Sequence, residues 1–184
     1  NLGVSIPSIA AAYDARVQSS SQYSRKISEE HINDDISYTD LSNALYFSRV
    51  CSMIQGLELI SKFSDDENHN ISIVKVLENW SGGCIIRSNL LSELKKEFSK
   101  NNNIFNLNNI FENLEKYRVS ISKVLQITTK YNISTPVLSA SLNWFNSVTA
   151  VNNPSNLIQA QRDFFGRHKV QLIDSSDDIN IDWD

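Results

Sequence analysis

Three features of the sequence predict an all-α fold. Apolar residues recur at three- and four-residue spacing through most of the chain, as the buried face of a helix requires. Short polar turns marked by Pro, Gly, Asn and Ser interrupt those periods. No stretch shows the sustained apolar/polar alternation of a half-buried strand.

In chain order, Leu2, Val4 and Ile6 lead to Pro7, which suits the first helical position, and Ile9, Ala12, Tyr13 and Val17 carry a helical period to about Ser20. Ser19 to Tyr38 is polar and reads as a connection with one short turn around Arg25 to Glu30; His31 within it reads as solvated. Thr39 to Lys62 is the longest helix candidate, with Thr39 or Asp40 as its cap and Leu41, Ala44, Leu45, Val50, Ile54, Leu57 and Ile60 on its apolar stripe. Cys51, Met53 and Leu59 widen the stripe, so this helix should be buried against several neighbours. Gly56 inside it costs up to ~1 kcal/mol relative to Ala, which close packing of another helix would explain. Ser64 to Asn70, with His69, reads as an exposed acidic loop.

Ile71 to Trp80 is a shorter helix ended by Gly82 and Gly83, and Cys84 to Lys100 restarts with Ile85, Leu90, Leu91, Leu94 and Phe98. Paired glycines before a helix can present free amides to phosphate. Here they follow a helix and lack the Lys-Ser/Thr of a P-loop, which favours a tight interhelical corner and a structural Arg87. Asn101 to Asn103 reads as a turn, followed by helices at Ile104 to Glu115, Tyr117 to Tyr131 and Thr135 to Val148, with Trp144 and Phe145 as core aromatics. Past His168 the chain has no helical period. Leu172, Ile179, Ile181 and Trp183 are its adhesive points, and they need another surface to bury against.

Composition bounds the function. The 184 residues, 41% apolar and 21% charged, can build a core, and a net charge of −4 provides no sustained basic face for nucleic acid or a membrane surface. Cys51 and Cys84 are far apart and outside any CxxC pattern, so the reading is reduced thiols in a cytoplasmic protein, with no zinc site and no disulfide framework. No apolar run approaches the ~20 residues of a membrane span. Asn1, in place of Met, opens the chain, which leads to the expectation of an upstream portion.

The richest stretch is LIQAQRDFFGRH, Leu157 to His168. An amphipathic run carries Leu157, Ile158, Phe164 and Phe165 beside Gln159, Gln161, Arg162 and Asp163 before Gly166 stops it. On an unbroken helix Arg162 and His168 would point roughly 120° apart. A glycine at the helix end lets the chain turn left-handed and swing the imidazole back, so that both side chains address one anion. The plainer alternative is that Arg162 pairs with a neighbour such as Asp163 and His168 decorates the last turn.

This stretch, with Asn153 and Pro154 before it, closely resembles the signature near the C-terminus of the decarboxylating 6-phosphogluconate dehydrogenases. GVSIPSIAAAYDAR at 3–16, WSGGCIIRS at 80–88 and the closing Asp182-Trp183-Asp184 resemble that family in the same order. The likeness spans nearly the whole chain but only the later part of the family's sequence. It implies oxidative decarboxylation of 6-phosphogluconate to ribulose 5-phosphate with reduction of NADP, in the pentose phosphate pathway. It also implies that the family's catalytic lysine and glutamate, and its Rossmann domain for NADP, lie upstream of what is matched here. The chain itself has no GxGxxG, so no catalytic or cofactor-binding residue is assigned within it, and alone it should be inactive.

What the resemblance places in this chain is part of the substrate's phosphate pocket: Arg16 of the AR pair, Arg162 of QAQRD and His168 of FGxH. The chemistry agrees, since guanidinium forks suit a sugar phosphate and a histidine adds a donor. Phe164 stands where the family usually has Tyr, Arg167 where it has a small residue, and the segment at 19–38 looks shorter. The expected organisation is a partial helical domain at 1–168 and an extended tail at 169–184. The resemblance further implies a homodimer with the tail exchanged into the partner. The competing reading is a non-catalytic helical module for assembly or sugar-phosphate binding.

Overall fold

The computed structural model describes residues 2–21, 32–100, 107–172, 175 and 177–183. The short turn expected at 25–30, His31 and the turn at 101–103 lie outside the described residues. Among those described, seven helices follow one another: α1 (Pro7–Ser20), α2 (Tyr38–Asp66), α3 (Ile73–Ser81), α4 (Asn89–Phe98), α5 (Asn108–Lys130), α6 (Pro136–Thr149) and α7 (Ser155–Gly166). Two strands of two residues each, β1 (Val170–Gln171) and β2 (Asp178–Ile179), pair antiparallel in the tail, with Val170 opposite Ile179. The all-α expectation is met. The tail departs from it only by this ladder, too short to show as alternation.

The chain divides into two compact units, 1–145 and 146–184. In the first, α2 and α5 form the most extensive helix pair. Phe47, Val50, Cys51, Ile54 and Leu57 of α2 and Leu114, Ile121 and Val124 of α5 are buried, joined by Leu77 of α3 and Leu91, Leu94 and Phe98 of α4. Each fully buried leucine or phenylalanine contributes about 1.5–3 kcal/mol. Trp144 and Phe145 are core residues, Phe145 meeting Phe47 edge-on at 5.1 Å and stacking on Phe111 at 6.0 Å.

Several boundaries differ from the sequence reading for local reasons. The cap of α2 is Ser37: its Oγ accepts from the Asp40 N–H at 3.0 Å and donates to the Asp40 carboxylate at 2.8 Å. Asp40 is thereby free to bridge to α5, accepting from Lys123 Nζ at 2.9 Å and Ser120 Oγ at 3.2 Å. The Lys123 bond first, then the Ser37 bond, hold its carboxyl down at about 2. Helix α4 begins at Asn89, after a turn at 84–88, and the two helices expected across 104–131 are one continuous α5 from Asn108. His69 is exposed, as expected, beside the Phe63 ring at 5.3 Å.

Helix α1 is fixed by a buried polar network. The Ser8 N–H donates to Gln55 Oε1 at 3.0 Å, Gln55 Nε2 donates to Ser8 Oγ at 3.0 Å, and Ser8 Oγ lies 2.9 Å from Ser141 Oγ. Ser8, Gln55 and Ser141 are all fully buried, so the network joins α1, α2 and α6 where leaving these groups unpaired would be costly. It seats the helix that carries Arg16.

Candidate functional site

In the second unit, α7 buries a single side chain, and it is a charged one. Asp163 is fully buried, whereas Leu157, Ile158, Phe164 and Phe165 on the same helix stand exposed, Phe165 by 82%. The Asp163 carboxylate faces the tail: Oδ1 accepts from the Lys169 N–H at 2.8 Å, and Oδ2 accepts from the Ile181 N–H at 2.8 Å and the Trp183 indole at 3.1 Å. The Asn180 amide, oriented with its nitrogen inward, adds a bond to Oδ1 at 2.7 Å and reaches the Arg167 carbonyl at 3.0 Å. Burial pushes this carboxyl up. The bonds from Ile181, Trp183 and Lys169, with the Arg167 charge, outweigh burial and hold it below the usual carboxylate range. The Trp183 ring also meets Phe164 edge-on at 5.7 Å, so the tail's last aromatic is anchored on its own chain's helix.

The turn after α7 is left-handed, but not at the glycine. Arg167 takes φ 50° and ψ 45°, its N–H donating to the Asp163 carbonyl at 2.8 Å, and Lys169 takes φ 62°. Gly166 serves another purpose. The His168 imidazole folds back over it, so that a Cβ at 166 would lie 2.8 Å from both His168 Cδ2 and Nε2. His168 and Arg162 thereby line one hollow of about 450 Å³ with Ile158, Gln161, Phe165 and Gly166. The Arg162–Asp163 pairing is not what forms: Arg162 Nη1 donates to Gln159 Oε1 at 3.0 Å. Gln159 Nε2 in turn donates to the Lys169 carbonyl at 2.5 Å and the His168 carbonyl at 3.4 Å.

The hollow therefore offers an exposed guanidinium and an exposed imidazole against an apolar wall, with Arg167 and Lys169 adjacent in sequence and also exposed. Such a set suits a multiply charged anion. Arg16 belongs to the first unit, exposed on α1, and among the described residues its side chain forms no ion pair.

The 6-phosphogluconate dehydrogenase C-terminal domain is the family whose model matches residues 1–183. The chain belongs to this family. The 6-phosphogluconate dehydrogenase of Synechococcus elongatus is 31% identical over 99% of this chain and 41% of its own length. That of Buchnera aphidicola is 36% identical over 83% of this chain and 33% of its own. The solved 6-phosphogluconate dehydrogenase of Plasmodium falciparum, studied with its cofactor NADP+ and its substrate 6-phosphogluconate, superposes with a TM-score of 0.81 at 32% identity, over 98% of this chain and 42% of that one. The matches thus span about a third to two fifths of the length of these 6-phosphogluconate dehydrogenase relatives.

In this 6-phosphogluconate dehydrogenase domain, two of the three residues taken from the sequence, Arg162 and His168, come together, and Gln159 and Asp163 were missed as their supports. A glutamine three residues before an arginine on one helix was a readable signal. The Asp163 contacts were not, because Ile181 and Trp183 are distant in sequence. Among the described residues there is no strand–helix–strand unit, and the sequence holds no glycine fingerprint of the kind that opens a dinucleotide-binding fold. No described helix is long and apolar enough to cross a membrane, and no three His, Cys, Asp or Glu side chains among the described residues gather as a metal site would require.

Proposed function

We propose that this chain is the substrate-phosphate-holding and dimer-forming portion of an NADP-dependent enzyme that oxidatively decarboxylates 6-phosphogluconate to ribulose 5-phosphate. Membership of the family supports the reaction. The shared hollow of Arg162 and His168 is the observation that carries this chain's role in it. Arg162 supplies a planar pair of donors, His168 a further donor at the hollow's edge, and Arg16 is assigned to the same phosphate by its position in the family pattern. Hydride transfer belongs to residues and a dinucleotide site outside this chain, which alone is expected to be inactive. The setting proposed is cytoplasmic, in a homodimer whose second unit reaches into the partner subunit. The exposed apolar residues of α7 support that arrangement, since monomers seldom leave so much contiguous apolar surface in water.

A phosphate remote from the reacting carbons is held about equally in ground and transition states. In the complete enzyme, Arg162→Ala should therefore raise KM for 6-phosphogluconate and leave kcat nearly intact. Charged hydrogen bonds of about 1.5–3 kcal/mol correspond to a roughly ten- to hundredfold rise. Steady-state kinetics measures it, with Arg16→Ala assayed alongside. An unchanged KM for Arg162→Ala removes this residue from the phosphate site.

A further inference from the structure

Of the residues assigned to phosphate binding, the two that line the hollow, Arg162 and His168, are not independently supported. His168 lies between Arg167 and Lys169, both left-handed, a conformation that non-glycine residues adopt only when their surroundings hold them there. What holds this turn is traceable. On one side the buried Asp163 carboxylate receives the Lys169 N–H, while its backbone carbonyl receives the Arg167 N–H. On the other, the Gln159 amide takes the Lys169 and His168 carbonyls through its nitrogen and the Arg162 guanidinium through its oxygen. Gln159 thus connects the main chain of one phosphate residue with the side chain of the other. Asp163 ties the same turn to the tail through Ile181 and Trp183.

We propose that Asp163 and Gln159 are positioning residues for phosphate recognition, bracing the 167–169 turn from two sides so that His168 and Arg162 are held toward the same hollow. The proposal rests on the phosphate reading above and adds two residues that touch no substrate. It explains why α7 buries a carboxylate while leaving its phenylalanines in water: the carboxylate has four N–H donors to satisfy, and nothing apolar would hold the turn. It also distinguishes the two arms chemically. Asparagine at 163 matches the shape but has one acceptor oxygen, so it can serve Lys169 or the Ile181–Trp183 pair, with its NH2 facing donors on the other side. Leucine at 159 fills similar space and makes none of the three bonds.

The test uses the complete enzyme and compares Asp163→Asn, Gln159→Leu, Arg162→Ala and His168→Ala, singly and combined. Asp163→Asn and Gln159→Leu should each raise KM for 6-phosphogluconate on the order of tenfold with kcat within about twofold of wild type. Because Asp163 acts through His168, Asp163→Asn should add no more than about twofold to KM once His168→Ala is present. Gln159→Leu should likewise lose part of its effect in the Arg162→Ala or His168→Ala background. Wild-type KM in both brace variants, with raised KM in Arg162→Ala and His168→Ala, overturns the brace and leaves the phosphate reading standing. Fully additive effects also overturn it, since they mark general loosening of the fold. Unchanged KM in Arg162→Ala and His168→Ala defeats the phosphate reading and the brace with it. If Asp163→Asn does not fold, Gln159→Leu, on a half-buried helix position, decides by the same measurements.

Discussion

Gly166 closes α7 and leaves the space into which the His168 ring folds. Its place after an amphipathic run marks the helix end, which is where the helix stops. The left-handed conformation, however, falls on Arg167, whose main chain is held by Asp163, and the glycine is needed for the space its missing Cβ leaves to the His168 ring. Because the atoms in the way belong to a side chain free to rotate, an alanine at 166 should move the imidazole and spare the fold. Gly166→Ala in the complete enzyme is therefore expected to leave the melting temperature unchanged or slightly raised, alanine being the better helix former. KM for 6-phosphogluconate should rise roughly two- to tenfold, the worth of one hydrogen bond. Loss of thermal stability with an unchanged KM would show that the ring's position over residue 166 is immaterial.

At the scale of the helices, periodicity located nearly all of them, and misplaced what depends on partners distant in sequence. Pro7 marks the start of α1 and Pro136 the start of α6, because proline's fixed φ and missing N–H act locally. The break expected between Glu115 and Tyr117 does not occur: Lys116 lies mid-helix in α5, where burial of Leu114 and Ile121 on the α2 side keeps the helix running. The seating of α1 by Ser8, Gln55 and Ser141 was not legible, since serine and glutamine look like surface residues until the fold brings them together. Gly56 is intermediate. Helix α1 does cross it, as its place in a buried helix suggested, but a Cβ there would meet only Ile9 Cδ1 at 3.7 Å, an ordinary contact. Gly56→Ala should accordingly stabilise the first unit by up to ~1 kcal/mol through helix propensity, with no steric loss. Chemical denaturation compares the two, and a destabilised variant would mean that α1 sits closer than this.

For the whole molecule, the sequence showed where the second unit would be adhesive but not to what. Trp183 was expected to need a foreign surface, that of a partner subunit, but it finds part of one on Phe164 and Asp163 of α7 in its own chain, leaving it 43% exposed. The tail is thus latched to its own helix, while Leu157, Ile158, Phe165 and Val151 still face water. A latched tail and an exposed apolar helix make sense together if α7 and the tail travel as one piece onto a partner subunit, as the proposed exchange requires. Such an arrangement places the phosphate residues of one subunit beside the catalytic lysine of the other, which gives a complementation test. A complete enzyme with that lysine replaced and a complete Arg162→Ala enzyme should each be nearly inactive at low substrate. After subunit exchange, demonstrated by copurification of differently tagged chains, each heterodimer should regain one intact site, with a KM close to wild type and at most about half the wild-type kcat per dimer. Dilution below the dimer dissociation constant should abolish the regained activity, because a shared site cannot outlive its interface. Heterodimers that form and stay as inactive as their parents would assign Arg162 to the active site of its own subunit, leaving the apolar face of α7 to serve assembly alone.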